Sequence, residues 1–370
     1  MLKSNLLSLK NVKIIACSAI AVISISSCKK KSDEAGPVIT ETSNETKGKP
    51  SWGPTITSDM LAVINKLDSL QTAPLIKLSP QEVRKQASPT DAVMALMMKR
   101  GIPKPVPALD TMGKNIPVDG GNIHLRIYTP KGAGPFPVIV YYHGGGWVIA
   151  NLDTYDASAA TLAEKSNAVL VSVAYRQGPE YKFPTAHKDS YAAYKWVVNN
   201  AASIKGNPSK IAVAGESAGG NLAVAVSMMA RDSSFAKPVH QLVVYPIAGY
   251  DTTTESYTKY ADAKPLSRPL MSWFFKYYLN NSGEGSNKLI SLYNADLRNL
   301  PPATIICAEI DPLQSDGQKL ANKFNADGVA ATYKIYTGVT HEFFGMATII
   351  PEAIQAQEQA VTALKAAFNK

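Results

Sequence analysis

The chain has 370 residues, 45% of them hydrophobic, with 38 Lys and Arg against 29 Asp and Glu for a formal charge of +9. That is enough apolar material for one large buried core or two small ones. The modest basic excess comes without a basic stripe, a zinc-type spacing or a recognition-helix pattern, which argues against nucleic-acid binding and a structural metal.

Residues 1–28 combine Lys3, Lys10 and Lys13 with an apolar run from Ile14 to Ile25 and the tetrapeptide Ile25-Ser26-Ser27-Cys28. A run of about a dozen residues is too short to span a bilayer and reads as a signal peptide. Small residues before a cysteine resemble a bacterial lipobox, which would make Cys28 the acylated first residue of a mature protein tethered to the cell envelope. Residues 29–54 are polar and without periodicity, as expected of a disordered tether. With Cys17 in the leader and Cys28 taken by lipid, only Cys307 is left, and no disulfide is expected.

Residues 55–110 read as an N-terminal helical cap segment. Ser58 is placed to cap a helix carrying Leu61, Ile64, Leu67 and Leu70. Ser79-Pro80 and Ser88-Pro89 open two more, the last ending at Gly101 and rich in methionine (Met94, Met97, Met98), suited either to core filling or to an adaptable lid. Asp119-Gly120-Gly121 between Asn115–Val118 and Asn122–Tyr128 predicts a hairpin.

Strand runs then alternate with helical runs. The strands are Val138–Tyr142, Ala168–Tyr175, Ile211–Ala214, Gln241–Tyr245, Ala303–Ile310 and Thr332–Tyr336. Apolar strands alternating with helices imply an α/β fold with a mostly parallel sheet covered on both faces, its reactive groups at the strands' carboxyl ends. Residues 111–249 and 291–370 form this core. The aromatic stretch 250–290, which interrupts the alternation, reads as a cap insertion.

Three clusters carry chemistry. Gly215-Glu216-Ser217-Ala218-Gly219 lies between a strand run and a helix run, so Ser217 sits at a sharp turn with the Ala218 amide at a helix N-terminus. A serine hydroxyl needs a base, and the base needs an orienting carboxylate. Of the five histidines, His124, His187 and His240 lie where a structural role is expected. His341, after the last strand run, is the candidate base. Asp311, directly after Ala303–Ile310, is the candidate acid, with Glu309 and Asp316 as rivals. Finally, His143-Gly144-Gly145-Gly146-Trp147 follows a strand. Gly144 and Gly145, with Ala218, are candidate oxyanion donors. His143 and Gly146 support that loop, as Glu216 supports the serine.

These motifs, with Asp311-Pro312-Leu313 and Thr340-His341-Glu342-Phe343, resemble the hormone-sensitive-lipase-like (bacterial family IV) carboxylesterases of the α/β-hydrolase superfamily. Tyr175-Arg176-Gln177-Gly178-Pro179-Glu180 is similar to a further family segment, with Gln177 and Gly178 where the family has Leu and Ala. The resemblance spans residues 105–368. It implies an α/β-hydrolase fold with an eight-stranded sheet whose second strand is antiparallel, a helical cap, no metal or cofactor, and hydrolysis of short-chain carboxylic esters. Two alternatives share the scaffold. One is a non-catalytic binding protein like the gibberellin receptors, which look similar but have lost the histidine found here as His341; the other is a glycan acetyl or aroyl esterase.

Overall fold

The computed structural model describes residues 48–370; the leader, Cys28 and most of the expected tether lie outside the described residues. Eight strands form one sheet in the order β1-β2-β4-β3-β5-β6-β7-β8. They are β1 (Leu109–Val118), β2 (Gly121–Pro130), β3 (Phe136–Tyr142), β4 (Val169–Ala174), β5 (Gly206–Glu216), β6 (Gln241–Val244), β7 (Ala303–Ile310) and β8 (Ala331–Thr340). Only β2 runs against its neighbours β1 and β4; the other pairs are parallel. The helices are α1 (Ser58–Leu70), α2 (Pro80–Val83), α3 (Pro89–Arg100), α4 (Asp156–Ser166), α5 (Thr185–Asn200), α6 (Ala218–Asp232), α7 (Glu255–Lys259), α8 (Arg268–Tyr278), α9 (Gln314–Ala326) and α10 (Pro351–Phe368).

Period-two alternation in the strands divides the core. Ile139 and Tyr141 of β3 face a layer with α1, α3, α4 and α10, while Val138, Val140 and Tyr142 face one with α5, α6 and α8. Apolar side chains on both faces are what a parallel sheet covered by helices requires. No helix among the described residues is long and apolar enough to cross a membrane.

Several local expectations shift. The hairpin strands are longer than the pattern suggested; β1 is an edge strand whose residues are mostly exposed, so it shows no apolar run. The cap of α1 is Thr57, whose hydroxyl accepts from the Met60 amide; Ser58 is already helical. Its buried face is Met60, Val63, Ile64 and Leu67, so Leu61 and Leu70 sit at the margins, as a 3.6-residue period dictates. The tether was expected to reach Pro54, yet Trp52 packs on the core and Gly53 lies against Ile310. Ser79 and Ser88 each form a capping box, and Gly101 ends α3 in the left-handed conformation. The three methionines divide: Met97 is buried, Met94 half-exposed and Met98 in solvent.

The insertion supplies α7 and α8, and its aromatics turn inward: Tyr257, Tyr260, Trp273, Phe274, Phe275 and Tyr278 are all buried. It meets the N-terminal segment directly. Trp273 Nε1 donates to the Leu78 carbonyl at 3.2 Å, and Lys264 pairs with Asp68 at 2.6 Å.

Candidate active site

At the carboxyl end of β5 the chain reverses into α6 through Ser217, whose backbone has φ 56° and ψ −117°. A side chain held in this sparsely populated region costs on the order of 1–3 kcal/mol. The surrounding structure over-determines it: the Ser217 amide donates to the Val244 carbonyl at 2.9 Å, and the flanking glycines leave no alternative. A Cβ on Gly215 would overlap the Gly219 carbonyl, and one on Gly219 would overlap the carbonyls of Tyr142 and His143. The turn therefore aims the hydroxyl off the sheet edge and sets the Ala218 amide at the first turn of α6.

β7 and β8 lie side by side and deliver the other two groups to the same edge. Asp311 follows β7 directly and His341 follows β8 directly, so the reactive loop begins three residues later than Gly338, which is still strand. His341 Nε2 is 3.0 Å from Ser217 Oγ and its Nδ1 is 2.7 Å from Asp311 Oδ2. Asp311 is fully buried, and its other oxygen accepts from the Leu313 amide at 2.8 Å. With the Nδ1 proton held by Asp311, Nε2 is free to accept from the serine hydroxyl.

Three carboxylates surround this imidazole. Burial alone would lower the pKa of His341, but the Asp311 charge and hydrogen bond outweigh it, aided by Glu342 and Glu216, and the net shift is upward. Glu342 Oε1 lies 3.8 Å from Nε2 and accepts from the Tyr155 hydroxyl at 2.6 Å. Glu216 accepts from the hydroxyls of Tyr141 and Tyr245, and the Tyr245 ring lies 4.5 Å from that of His341. Burial, then the Glu342 charge, pushes Glu216 up to about 7. Glu216 was expected to support the serine turn; Glu342 had no cue in the sequence beyond its place beside His341.

Beyond β3, Gly145 (φ +94°) and Gly146 (φ +58°) carry the chain past the serine turn in conformations that favour glycine. A Cβ on Gly146 would enter the Phe274 ring. His143 is buried, stacks on Tyr175 at 4.3 Å, and its Nδ1 meets the Gly144 carbonyl at 2.8 Å. Burial lowers its pKa to about 4, so it stays neutral. The Tyr175 hydroxyl donates to the His143 carbonyl at 2.8 Å, and Gln177 Nε2 donates to the Ile149 carbonyl at 2.6 Å. Gln177, at a departure from the family segment, thus ties down the far end of the glycine loop. Arg84 spans the next stretch, bonding Val148, Gly178 and Glu180.

A cavity of about 320 Å³ opens here, bordered by Ser217, His341, Gly145 and Gly146 and roofed by Leu67, Pro89 and Arg84 from the N-terminal segment and Leu266, Leu270 and Phe274 from the insertion. A family model of the α/β-hydrolase fold matches residues 139–345. A carboxylesterase of Mycobacterium tuberculosis, NlhH, is 38% identical over 273 residues, covering 72% of this chain and 86% of its own. An ethyl acetate hydrolase of Pseudomonas putida is 29% identical, covering 83% and 98%. Among solved structures, the metagenomic carboxylesterase EstE1 has a TM-score of 0.73 at 36% identity, covering 79% of this chain and 99% of its own. A thermostable esterase from Pseudomonas putida reaches 0.77 at 30%, covering 85% and 98%.

The chain belongs to the α/β-hydrolase family, in its hormone-sensitive-lipase-like branch. The remaining candidates of this hydrolase fall outside the relay. Glu309 accepts from Thr55 and from the Gly338 amide. Asp316, buried on α9, accepts from the amides of Ala248 and Gly249, and burial raises its pKa to about 7. His124 meets Asn115, His187 meets Tyr278 and Asn221, and His240 meets Thr304. Cys307 is buried in β7 with its thiol pushed well up by burial. Among the described residues no cluster of His, Cys, Asp and Glu is arranged to hold a metal.

Proposed function

We propose that the protein is a serine carboxylesterase that hydrolyses short-chain carboxylic esters through an acyl-enzyme on Ser217. The observation that carries this is the continuous relay from Ser217 Oγ through His341 to Asp311, at 3.0 and 2.7 Å. Relatives named as carboxylesterases and esterases support the same chemistry. In this reading His341 takes the hydroxyl proton as Oγ attacks the ester carbonyl, then gives it to the departing alcohol oxygen. Water, deprotonated by the same nitrogen, attacks the acyl carbon and frees Ser217 with release of the acid.

The developing oxyanion takes hydrogen bonds from Ala218 and two amides of the glycine loop. Gly144 and Gly145 are the pair expected from the motif. The cavity wall favours a shift by one residue, to Gly145 and Gly146, because these two border the cavity and Gly144 does not. Short esters suit a cavity of about 320 Å³. A fluorophosphonate should label the peptide carrying Ser217, and p-nitrophenyl acetate should release p-nitrophenol in an initial burst approaching one equivalent. Absence of both labelling and turnover would overturn the reading and favour a binding protein.

Catalysis requires neutral His341, whose pKa is held above the ordinary 6.5. The acidic limb of kcat/KM should therefore lie above 6.5, with activity lost as pH falls through it. In Glu342→Gln one of the charges that raise the imidazole is gone, so the limb should move to lower pH. A limb that stays in place would show that this carboxylate does not act on His341.

We further infer that residues 1–28 are a lipoprotein leader and that Cys28 anchors the enzyme to a membrane of the bacterial cell envelope. The support is the lysine-rich start, the short apolar run and the small residues before Cys28. Mass spectrometry of the membrane fraction should find a di- or triacylated Cys28; a mature N-terminus elsewhere would exclude the anchor.

A further inference from the structure

A second cavity, of about 480 Å³, adjoins the first, and Pro89, Thr154, Tyr155 and Glu342 border both. Away from that wall its apolar lining is set by Val93, Met94, Met97, Val106 and Met346, with Lys104, Asp153, Asp156 and Glu216 among the polar groups at its margins. The wall is joined by the 2.6 Å hydrogen bond from the Tyr155 hydroxyl to Glu342. Its two halves differ in freedom. Tyr155 is buried to 4% exposure, whereas the Glu342 side chain keeps 18%. Glu342 is the more exposed half.

The position of this wall decides which part of an ester could reach through it. In acyl transfer the histidine Nε2 hands its proton to the leaving oxygen, so the alcohol half lies beside Nε2. Glu342 Oε1 is 3.8 Å from that atom. The acyl half points away from the leaving oxygen, on the other side of the tetrahedral carbon. The wall and the cavity behind it therefore adjoin the alcohol site.

We propose that the second cavity is an annex to the alcohol site, receiving the far end of a long, unbranched apolar alcohol when Glu342 turns off Tyr155. This inference rests on the esterase reading and narrows it to esters of small acids with long-chain alcohols. Methionine side chains, with three soft torsions and a polarisable sulfur, suit a chain that must be accommodated without specific contacts. Desolvating the alkyl tail against them offsets the lost Tyr155–Glu342 hydrogen bond only when the tail is long enough, so the preference should grow with alcohol length.

The test compares methyl, butyl and octyl acetate with methyl octanoate, on the wild type and on Met94→Trp and Val106→Trp. Met94 and Val106 border the annex yet are 42% and 91% exposed, so a larger side chain there can occupy it without displacing the core. In the wild type, kcat/KM should rise about tenfold or more from methyl to octyl acetate. In the variants octyl acetate should lose that gain and the inhibition constant of 1-octanol should rise by a similar factor. Methyl acetate and methyl octanoate should stay within about twofold. Equal hydrolysis of octyl acetate by all forms would overturn the annex. So would an equal loss for methyl octanoate, which would give the cavity to the acyl half. A wild type that cleaves neither methyl acetate nor p-nitrophenyl acetate would instead remove the esterase reading, and the annex with it. Matching melting temperatures show that the variants report on the cavity and not on folding.

Discussion

Replacing Ser217 by alanine is expected to lower kcat on p-nitrophenyl acetate by about 10⁶-fold. The effect is large because among the described residues no other hydroxyl bonds His341 Nε2; the imidazole would be left as a well-placed base with nothing to deprotonate except water. The residual rate would come from the amide donors and from substrate positioning. Folding should be little affected, since alanine keeps the Cβ that the φ 56° turn already accommodates. A melting curve beside the rate therefore separates lost chemistry from lost structure. Activity within about tenfold of the wild type would remove Ser217 from the reaction and leave the relay geometry without a function.

The second large effect is expected from Asp311→Asn, at about 10⁴-fold in kcat. The change is nearly isosteric, and the amide oxygen can still accept from the Leu313 amide as Asp311 Oδ1 does. The amide nitrogen would then face His341 Nδ1 as a donor, which forces the imidazole proton onto Nε2. In that tautomer Nε2 cannot accept from Ser217. The charge that outweighs burial at His341 is lost too, so the imidazolium formed during attack is no longer stabilised. KM should change much less than kcat, because Asp311 is fully buried and does not reach the cavity. A variant retaining about a tenth of wild-type kcat or more would show that Glu342 or Glu216 can substitute for it.

The parts of the site legible in the sequence were those in which chemistry and backbone geometry coincide. Ser217 is announced by two glycines that its turn requires, and both prove to be in backbone contact where a Cβ would not fit. Asp311 stands one residue past an apolar strand run and His341 in the loop after the last run, and parallel pairing of β7 with β8 brings their ends together. The sheet was legible for a similar reason: buried parallel strands read as continuous apolar runs. Edge strand β1 was read short because solvent faces most of it.

What the sequence did not signal depends on side chains that meet across long separations. Tyr155 and Glu342 are 187 residues apart, and Arg84 reaches Glu180 across 96. No local pattern distinguishes them from surface polar residues. Glu342 had one cue, its place beside His341 in a left-handed conformation (φ 71°) rare for glutamate, and that conformation is visible only in the structure. The oxyanion pair illustrates the same limit. Three consecutive glycines mark a loop of bare amides, but which of them border the cavity, Gly145 and Gly146, is set by how the loop passes the serine turn and is not written in the motif.

The contacts of Trp273 with Leu78 and of Lys264 with Asp68 join two halves of the roof that lie some two hundred positions apart in the chain. Selectivity in this scaffold is consequently a bipartite trait. A chimera that takes the region 250–290 from a relative while keeping the native 58–100 would present mismatched seams over the nucleophile, and grafts of substrate preference should succeed when both segments are exchanged together.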